Sequence, residues 1–228
     1  MNFKITFHLD GCGIYYDENE PLHLDGLIGY CLAPMQSKKL NFNRDEAPDV
    51  DIKMPLLRSK INGHDVWHAS ALFTPEQSPE TLRYWRKRFN QDRVHLSQGK
   101  PSLKSGVYRD YNTPIQLMLI NKLYAYGSGN RKSVVKLLKK NIKSLGKKRA
   151  YGYGKVVEIT SERIDKDSSL VAGGVAMRWL PDSDGFRVVR PCPPYWNRVG
   201  AIPCCEVGDC FSYKPFNAPM SRRASSPR

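Results

Sequence analysis

At 228 residues, 40% of them hydrophobic, the chain suffices for one large domain or a domain with a small appendage, and is too apolar for wholesale disorder. No stretch approaches the roughly 20 apolar residues that span a bilayer, and the start, Met1-Asn2-Phe3-Lys4, lacks a signal-peptide core. A cytoplasmic protein without a membrane partner is expected. Formal net charge is +14, and it is localised: residues 81–157 hold 19 Lys/Arg against only Asp92 and Asp110, whereas residues 1–80 hold 7 against 12 Asp/Glu. A field this concentrated points to a polyanion partner rather than to solubility alone; the plainer alternative is a solvated helix face.

Phe3, Ile5 and Phe7 alternate with Lys4, Thr6 and His8, which predicts a half-buried first strand ended by Gly11-Cys12-Gly13. Leu24, Leu27, Ile28 and Cys31 recur at helical spacing, so a helix is expected near 21–33, stopped by Pro34. Residues 35–64 are polar with scattered prolines and read as a loop excursion, and Val66 to Phe73 as another strand. Within 74–105, Tyr84-Trp85-Arg86-Lys87-Arg88-Phe89 and Arg93 interleave aromatic with basic side chains, a pattern that a strand or a helix would carry equally well.

Leu117 to Tyr126 reads as one buried strand, turned by Gly127-Ser128-Gly129. Val134, Leu138, Ile142 and Leu145 mark one face of a second helix, with Lys132, Lys136, Lys139, Lys140 and Lys143 around the rest and Gly146 as its left-handed cap. An apolar face suited to a protein core disfavours a membrane surface. Lys155–Thr160 and Leu170–Leu180 read as strands, and a proline-rich tail from Pro181 ends in a frayed 221–228. The order strand, helix, excursion, strand, helix, strand fits an α+β, ferredoxin-like or RRM-like domain over 1–180, with a thumb-like insertion near 74–105 and a Pro/Cys-containing extension over 181–228.

The segment richest in chemistry is Gly146-Lys147-Lys148-Arg149-Ala150-Tyr151-Gly152-Tyr153-Gly154. Gly146, Gly152 and Gly154 permit positive φ, and successive N–H groups in such a turn form an anion nest. Lys147, Lys148 and Arg149 add phosphate-binding charge, and Tyr151 and Tyr153 add rings for unpaired bases. No Gly-Lys-Ser/Thr ends it and it follows a helix rather than opening one, so it is not a Walker loop, nor is it a dinucleotide fingerprint. A flexible connection between helix and strand is the alternative. Trp85, Arg86, Lys87, Arg88 and Arg93 form a second candidate group. Arg131, Lys136, Lys139, Lys140 and Lys143 would supply longer-range attraction.

A helix followed by a basic glycine loop resembles the RAMP superfamily of CRISPR-associated proteins. Glu20-Pro21-Leu22-His23-Leu24-Asp25-Gly26-Leu27, Trp67-His68-Ala69-Ser70 and Tyr84-Trp85-Arg86-Lys87-Arg88 are similar to the handle-capping Cas-five family of type IV systems. The resemblance covers roughly 1–180. It implies an RNA-binding subunit of the effector complex that grips the 5′ handle of CRISPR RNA. The implied partners are that RNA, backbone subunits, a large subunit, target DNA in the assembled complex and a recruited helicase.

Metal-free RNA cleavage would need a base for a 2′-hydroxyl and an acid for the leaving oxygen. His8, His23, His64, His68 and His95 are the candidate bases, with His68 near Ser70 the most suggestive, but no base–acid pair can be assigned. A non-catalytic subunit is therefore expected. The alternatives are a RAMP endoribonuclease that processes CRISPR RNA and a generic ribosome- or nucleoid-associated protein. In the processing family the glycine loop lies near the C-terminus, whereas 74 residues follow Gly154 here. Of the six cysteines, Cys192, Cys204, Cys205 and Cys210 cluster without a C-x-x-C pair. Free thiols in a turn-rich tail are expected rather than zinc, and no cofactor.

Overall fold

A computed structural model describes residues 1–17, 19–36, 52–75, 79–88, 104, 109–195 and 199–211. The alternating N-terminal residues form β1 (Asn2–Leu9), which buries Phe3, Ile5, Phe7 and Leu9. β1 is the middle strand of an antiparallel sheet, between β6 (Lys122–Ser128) and β7 (Val156–Arg163). Phe7 lies opposite both Leu123 and Ile159, so the buried face continues across all three strands. Helices α1 (Leu24–Gln36) and α2 (Arg131–Asn141) contribute Leu24, Ile28, Val134 and Leu138 to the core formed by that face. The result is a mixed α+β architecture, dominated by antiparallel strands.

Outside the sheet, β2 (Arg58–Ile61) and β3 (His64–Trp67) form a hairpin, and β4 (Glu80–Lys87) pairs along its whole length with β5 (Tyr111–Met118). Downstream of β7 come the short pair β8 (Val171–Ala172) and β9 (Val175–Ala176) and a small sheet ordered β10 (Leu180–Pro181), β12 (Ile202–Cys205), β11 (Arg187–Val189).

Several expectations are corrected. α1 runs through Pro34 to Gln36, because Pro34 sits in the last turn and its ring removes only the one bond that would reach back to Tyr30, an exposed residue whose carbonyl water can serve. The excursion over 35–64 contains β2, turned into β3 at Asn62-Gly63, with φ of 46° and 82°. The strand expected over 66–73 stops at Trp67 and continues as single bridges from Ala69, Ala71 and Phe73. The single strand expected over 117–126 is two: β5 pairs with β4 and β6 with β1, so the chain changes partner at 119–121. Ser128 closes β6 rather than turning the chain. α2 ends at Asn141, not at Gly146. Ile142 is already extended, which leads Leu145 into a backbone bond with Gly154. Residues 170–180 are not one strand either, since Gly173-Gly174 folds β8 onto β9.

The downstream segment is stapled to the first helix by a buried cation. Arg178 is fully buried, pairs with Asp25 at 3.0 Å, and donates to the carbonyls of Trp67 (2.7 Å), Ala69 (3.0 Å) and Pro191 and to the Tyr195 hydroxyl (2.8 Å). Tyr195 in turn donates to Asp25 at 2.7 Å. Burial alone would lower the guanidinium, but the Asp25 carboxylate, together with Tyr195 and Cys192, outweighs it and holds the charge. His23 packs against Trp179 and Tyr195, and burial with the nearby Arg178 holds it neutral, well below the usual histidine range.

Candidate nucleic-acid interface

The glycine loop is closed at its base by tight backbone approach. Leu145 N–H donates to Gly154, Gly154 N–H to Gly13, and Lys147 N–H to Tyr15. A Cβ at Gly154 would lie 2.1 Å from the Leu145 carbonyl oxygen, and one at Gly146 would lie 2.5 Å from that of Tyr15. Both glycines hold φ near +63° and +81°, so backbone and space alike demand them. Between them Lys148 is left-handed at φ 58°, and Arg149–Tyr151 makes one 3₁₀ turn.

Within the loop the N–H groups of Lys147, Tyr151, Gly152 and Gly154 are taken by backbone carbonyls. An anion nest would fall to the N–H groups of Lys148, Arg149 and Ala150, beside the cationic side chains. The two tyrosines differ: Tyr151 is 56% exposed, whereas Tyr153 is half-buried.

Each of the loop's three successive cations lies over a ring from another part of the fold. Lys147 sits 5.7 Å from the Tyr15 centroid, Lys148 3.2 Å from Trp85 on β4, and Arg149 5.7 Å from Tyr30 on α1. Trp85 also meets Tyr111 at 4.5 Å and Tyr151 at 5.6 Å, and its indole N–H donates to the Tyr151 hydroxyl at 2.7 Å. The loop and the arm made by β4 and β5 are therefore one surface, joined through Trp85.

The other expected residues divide. Arg86 lies over Tyr84 at 5.4 Å and donates to Asn112, on the opposite face of β4 from Trp85, since neighbours along a strand alternate. Lys87 is half-buried and Arg88 exposed. Arg93 and most of 89–108 lie outside the described residues. Lys136, Lys139, Lys140 and Lys143 are exposed on and just after α2, as is Lys132. Arg131 is half-buried and donates to the Ser161 carbonyl and hydroxyl at 3.1 and 3.3 Å. It fastens α2 to β7 rather than offering a free charge. Lys147 pairs with Glu20 at 3.5 Å, an exposed contact worth at most about 1 kcal/mol. The solvent face of the central sheet mixes Lys4 and Lys122 with Glu158 and Glu162, so the positive field belongs to the loop, arm and α2.

Among the described residues no histidine is placed against the loop, and His95 lies outside them. His68 is not partnered by Ser70, whose hydroxyl serves Ala71 and Tyr126. His68 Nε2 meets Ser59 Oγ at 2.6 Å, and Nδ1 meets Asp167 at 2.8 Å. Residue types alone gave no sign of this chain across β2, β3 and the loop after β7. Burial would raise the Asp167 carboxyl, but hydrogen bonds from His68 and Ser169 pull it down to about 2, below its usual 3.8. A depressed carboxylate stabilises fully above its unfolded pKa, and that stability is lost as pH falls through the folded value. Asp167→Asn is expected to cost about 1 kcal/mol at neutral pH, after allowance for its one-third exposure. In urea melts the gap from the parent should close between about pH 4 and pH 2; a gap independent of pH would contradict the pairing.

The clustered cysteines are corrected in place. Cys204 and Cys205 are buried on β12 rather than lying in turns, and Cys192 donates to the Asp65 carbonyl at 2.8 Å. Burial pushes the Cys204 thiol up to about 12 and the Cys192 thiol up to about 11. Among the described residues no three His, Cys, Asp or Glu side chains gather to hold a metal, and no helix is long and apolar enough to cross a membrane.

A mixed α+β fold with a basic glycine loop against an aromatic arm is consistent with the RAMP-like class. The family model of CRISPR type IV associated protein Csf3 matches residues 1–205, and the chain belongs to that family. The likeness seen in Glu20–Leu27, Trp67–Ser70 and Tyr84–Arg88 to a type IV CRISPR subunit thus holds. No curated protein matches the chain. Among solved structures it is similar to a chain of the cryo-EM structure of the Type III-B Cmr-beta bound to cognate target RNA. That likeness has 13% identity and a TM-score of 0.30, and spans 71% of this chain and 60% of that one. It is too slight to bear on function.

Proposed function

We propose that this Csf3-family chain is a non-catalytic RNA-binding subunit of a type IV CRISPR effector complex, and that it grips the 5′ handle of CRISPR RNA. The observation that carries the reading is the meeting of Lys148 and Tyr151 with Trp85, flanked in the loop by Lys147 and Arg149 over Tyr15 and Tyr30 and preceded in the chain by the exposed lysines of α2. Point charges suit the phosphates and rings suit unpaired bases, which is what single-strand binding requires. The β7-β1-β6 sheet, with single bridges from Ala69 and Phe73 along the outer side of β6, supports a ferredoxin-like core with the arm as its thumb. The partners in this reading are backbone subunits, a large subunit, target DNA and a recruited helicase. A cytoplasmic bacterial setting goes with it.

The non-catalytic reading rests on the loop surface, where His68 takes no part: its ring nitrogens meet Ser59 and Asp167 instead. Incubated with its own repeat RNA, with or without divalent metal, the purified chain should leave the RNA intact. Site-specific cutting that disappears in His68→Ala would establish the endoribonuclease alternative. The assignment to the handle is tested by expressing the chain beside its CRISPR locus and sequencing the RNA that co-purifies. Reads should share one fixed repeat-derived 5′ end, and reads drawn evenly from cellular RNA would favour a generic basic protein.

A further inference from the structure

Lys148 and Trp85 make the tightest of the three cation–ring contacts on this surface. The neighbouring rings wall the indole without covering it: Tyr111 is tilted at 55° and Tyr151 stands at 74°. What caps the indole face is the Lys148 ammonium, while the bond from its N–H to Tyr151 holds the indole in place. An exposed cation–π contact changes an equilibrium by only about 2- to 5-fold. A stacked nucleobase changes it by about 5- to 150-fold. The base is therefore the stronger occupant, and an ammonium released from a ring finds a better partner in a phosphate.

We propose that the face of Trp85 is the seat of one unpaired base of the bound strand, and that the base displaces Lys148, whose ammonium moves to a phosphate of the same strand. This rests on the RNA-binding reading above. The ligand class is a single strand with at least one unstacked nucleotide, because a base inside a duplex already has both faces covered. Lys148 thus has two successive roles: it shields a half-buried indole in the free protein, then adds one charge contact in the complex. Its ammonium lies at the arm, over Trp85, rather than along α2.

The test uses the full chain and a short single-stranded RNA with 2-aminopurine at one position, moved stepwise along the strand. A terminal dye reports total binding separately by anisotropy. The parent should quench 2-aminopurine strongly at one position. Trp85→Leu should abolish that quench and weaken binding about 5- to 150-fold, with the salt slope unchanged. Lys148→Asn, a residue that tolerates the left-handed backbone, should keep the quench and flatten the salt slope by about 0.7. If Trp85→Leu does not fold, Trp85→Phe decides, and there both quench and affinity should fall. Anisotropy that reports binding without a quench at any position, or a quench untouched in the Trp85 variants, overturns the base seat while RNA binding stands. No anisotropy change at all overturns both.

Discussion

Arg178→Met is expected to remove about 3–5 kcal/mol, a large share of the roughly 5–15 kcal/mol that a domain has. The guanidinium is fully buried and serves Asp25, Tyr195 and the carbonyls of Trp67, Ala69 and Pro191. Methionine fills much of the volume but leaves the Asp25 carboxylate buried without its cation and takes a donor from the carbonyls of Trp67, Ala69 and Pro191, of which Trp67 keeps the Ala69 N–H. Denaturant unfolding measures the loss. Asp25→Ala should be comparably harmful, because it strands the opposite charge. The double variant should lose clearly less than the sum of the two, since each single change has already broken the same pair. A loss below about 1 kcal/mol for Arg178→Met would mean that the staple between α1 and the segment after β9 is not what holds them together.

Gly154→Val should be the most damaging change in the loop. Its Cβ would fall 2.1 Å from the Leu145 carbonyl oxygen and 3.0 Å from the carbonyl carbon, at a φ of +63°. Neither atom is the end of a flexible side chain, so the backbone must move. The left-handed strain alone is about 1–3 kcal/mol, and the clash adds to it. The bond from Leu145 to Gly154 closes the loop, so Lys147 to Tyr151 would shift away from Trp85. RNA affinity should fall more than tenfold in protein that still melts cooperatively, an expectation built on about 1–3 kcal/mol per lost stacking contact. Gly152→Ala is the control. Nothing lies within 4 Å of its would-be Cβ, so only the cost of φ 87° remains, about 1–2 kcal/mol, with little change in binding. Equal effects of the two would show that close approach at Gly154 does not shape the site.

What the sequence reveals follows from how local the cause is. β1 and α2 were legible because alternation and helical spacing each bury one face of one element. The charge of 81–157 was legible because a sum of charges along the sequence does not depend on where the backbone goes. Loop chemistry was only half legible. Gly146 and Gly154 could be read as special, but whether their neighbours' N–H groups point at a ligand or at Tyr15 and Gly13 depends on residues more than 130 positions away. The same holds for Arg178, which reads as an interruption in an apolar run until Asp25 is brought to it. A buried cation between Met177 and Trp179 does predict a carboxylate partner, though not which one. Asn62-Gly63 is different: that pair is a strong local hairpin signal, and the polar composition around it obscured β2 and β3.

The central claim is that the loop cations hold RNA phosphates while the rings hold bases, and a salt titration of handle RNA binding to the full chain tests it most directly. Log affinity should fall linearly with log salt, with a slope that Lys147→Ala and Arg149→Ala each flatten by about 0.7 and that Tyr151→Phe leaves unchanged. A parent slope near zero, or slopes that neither basic substitution alters, would contradict it.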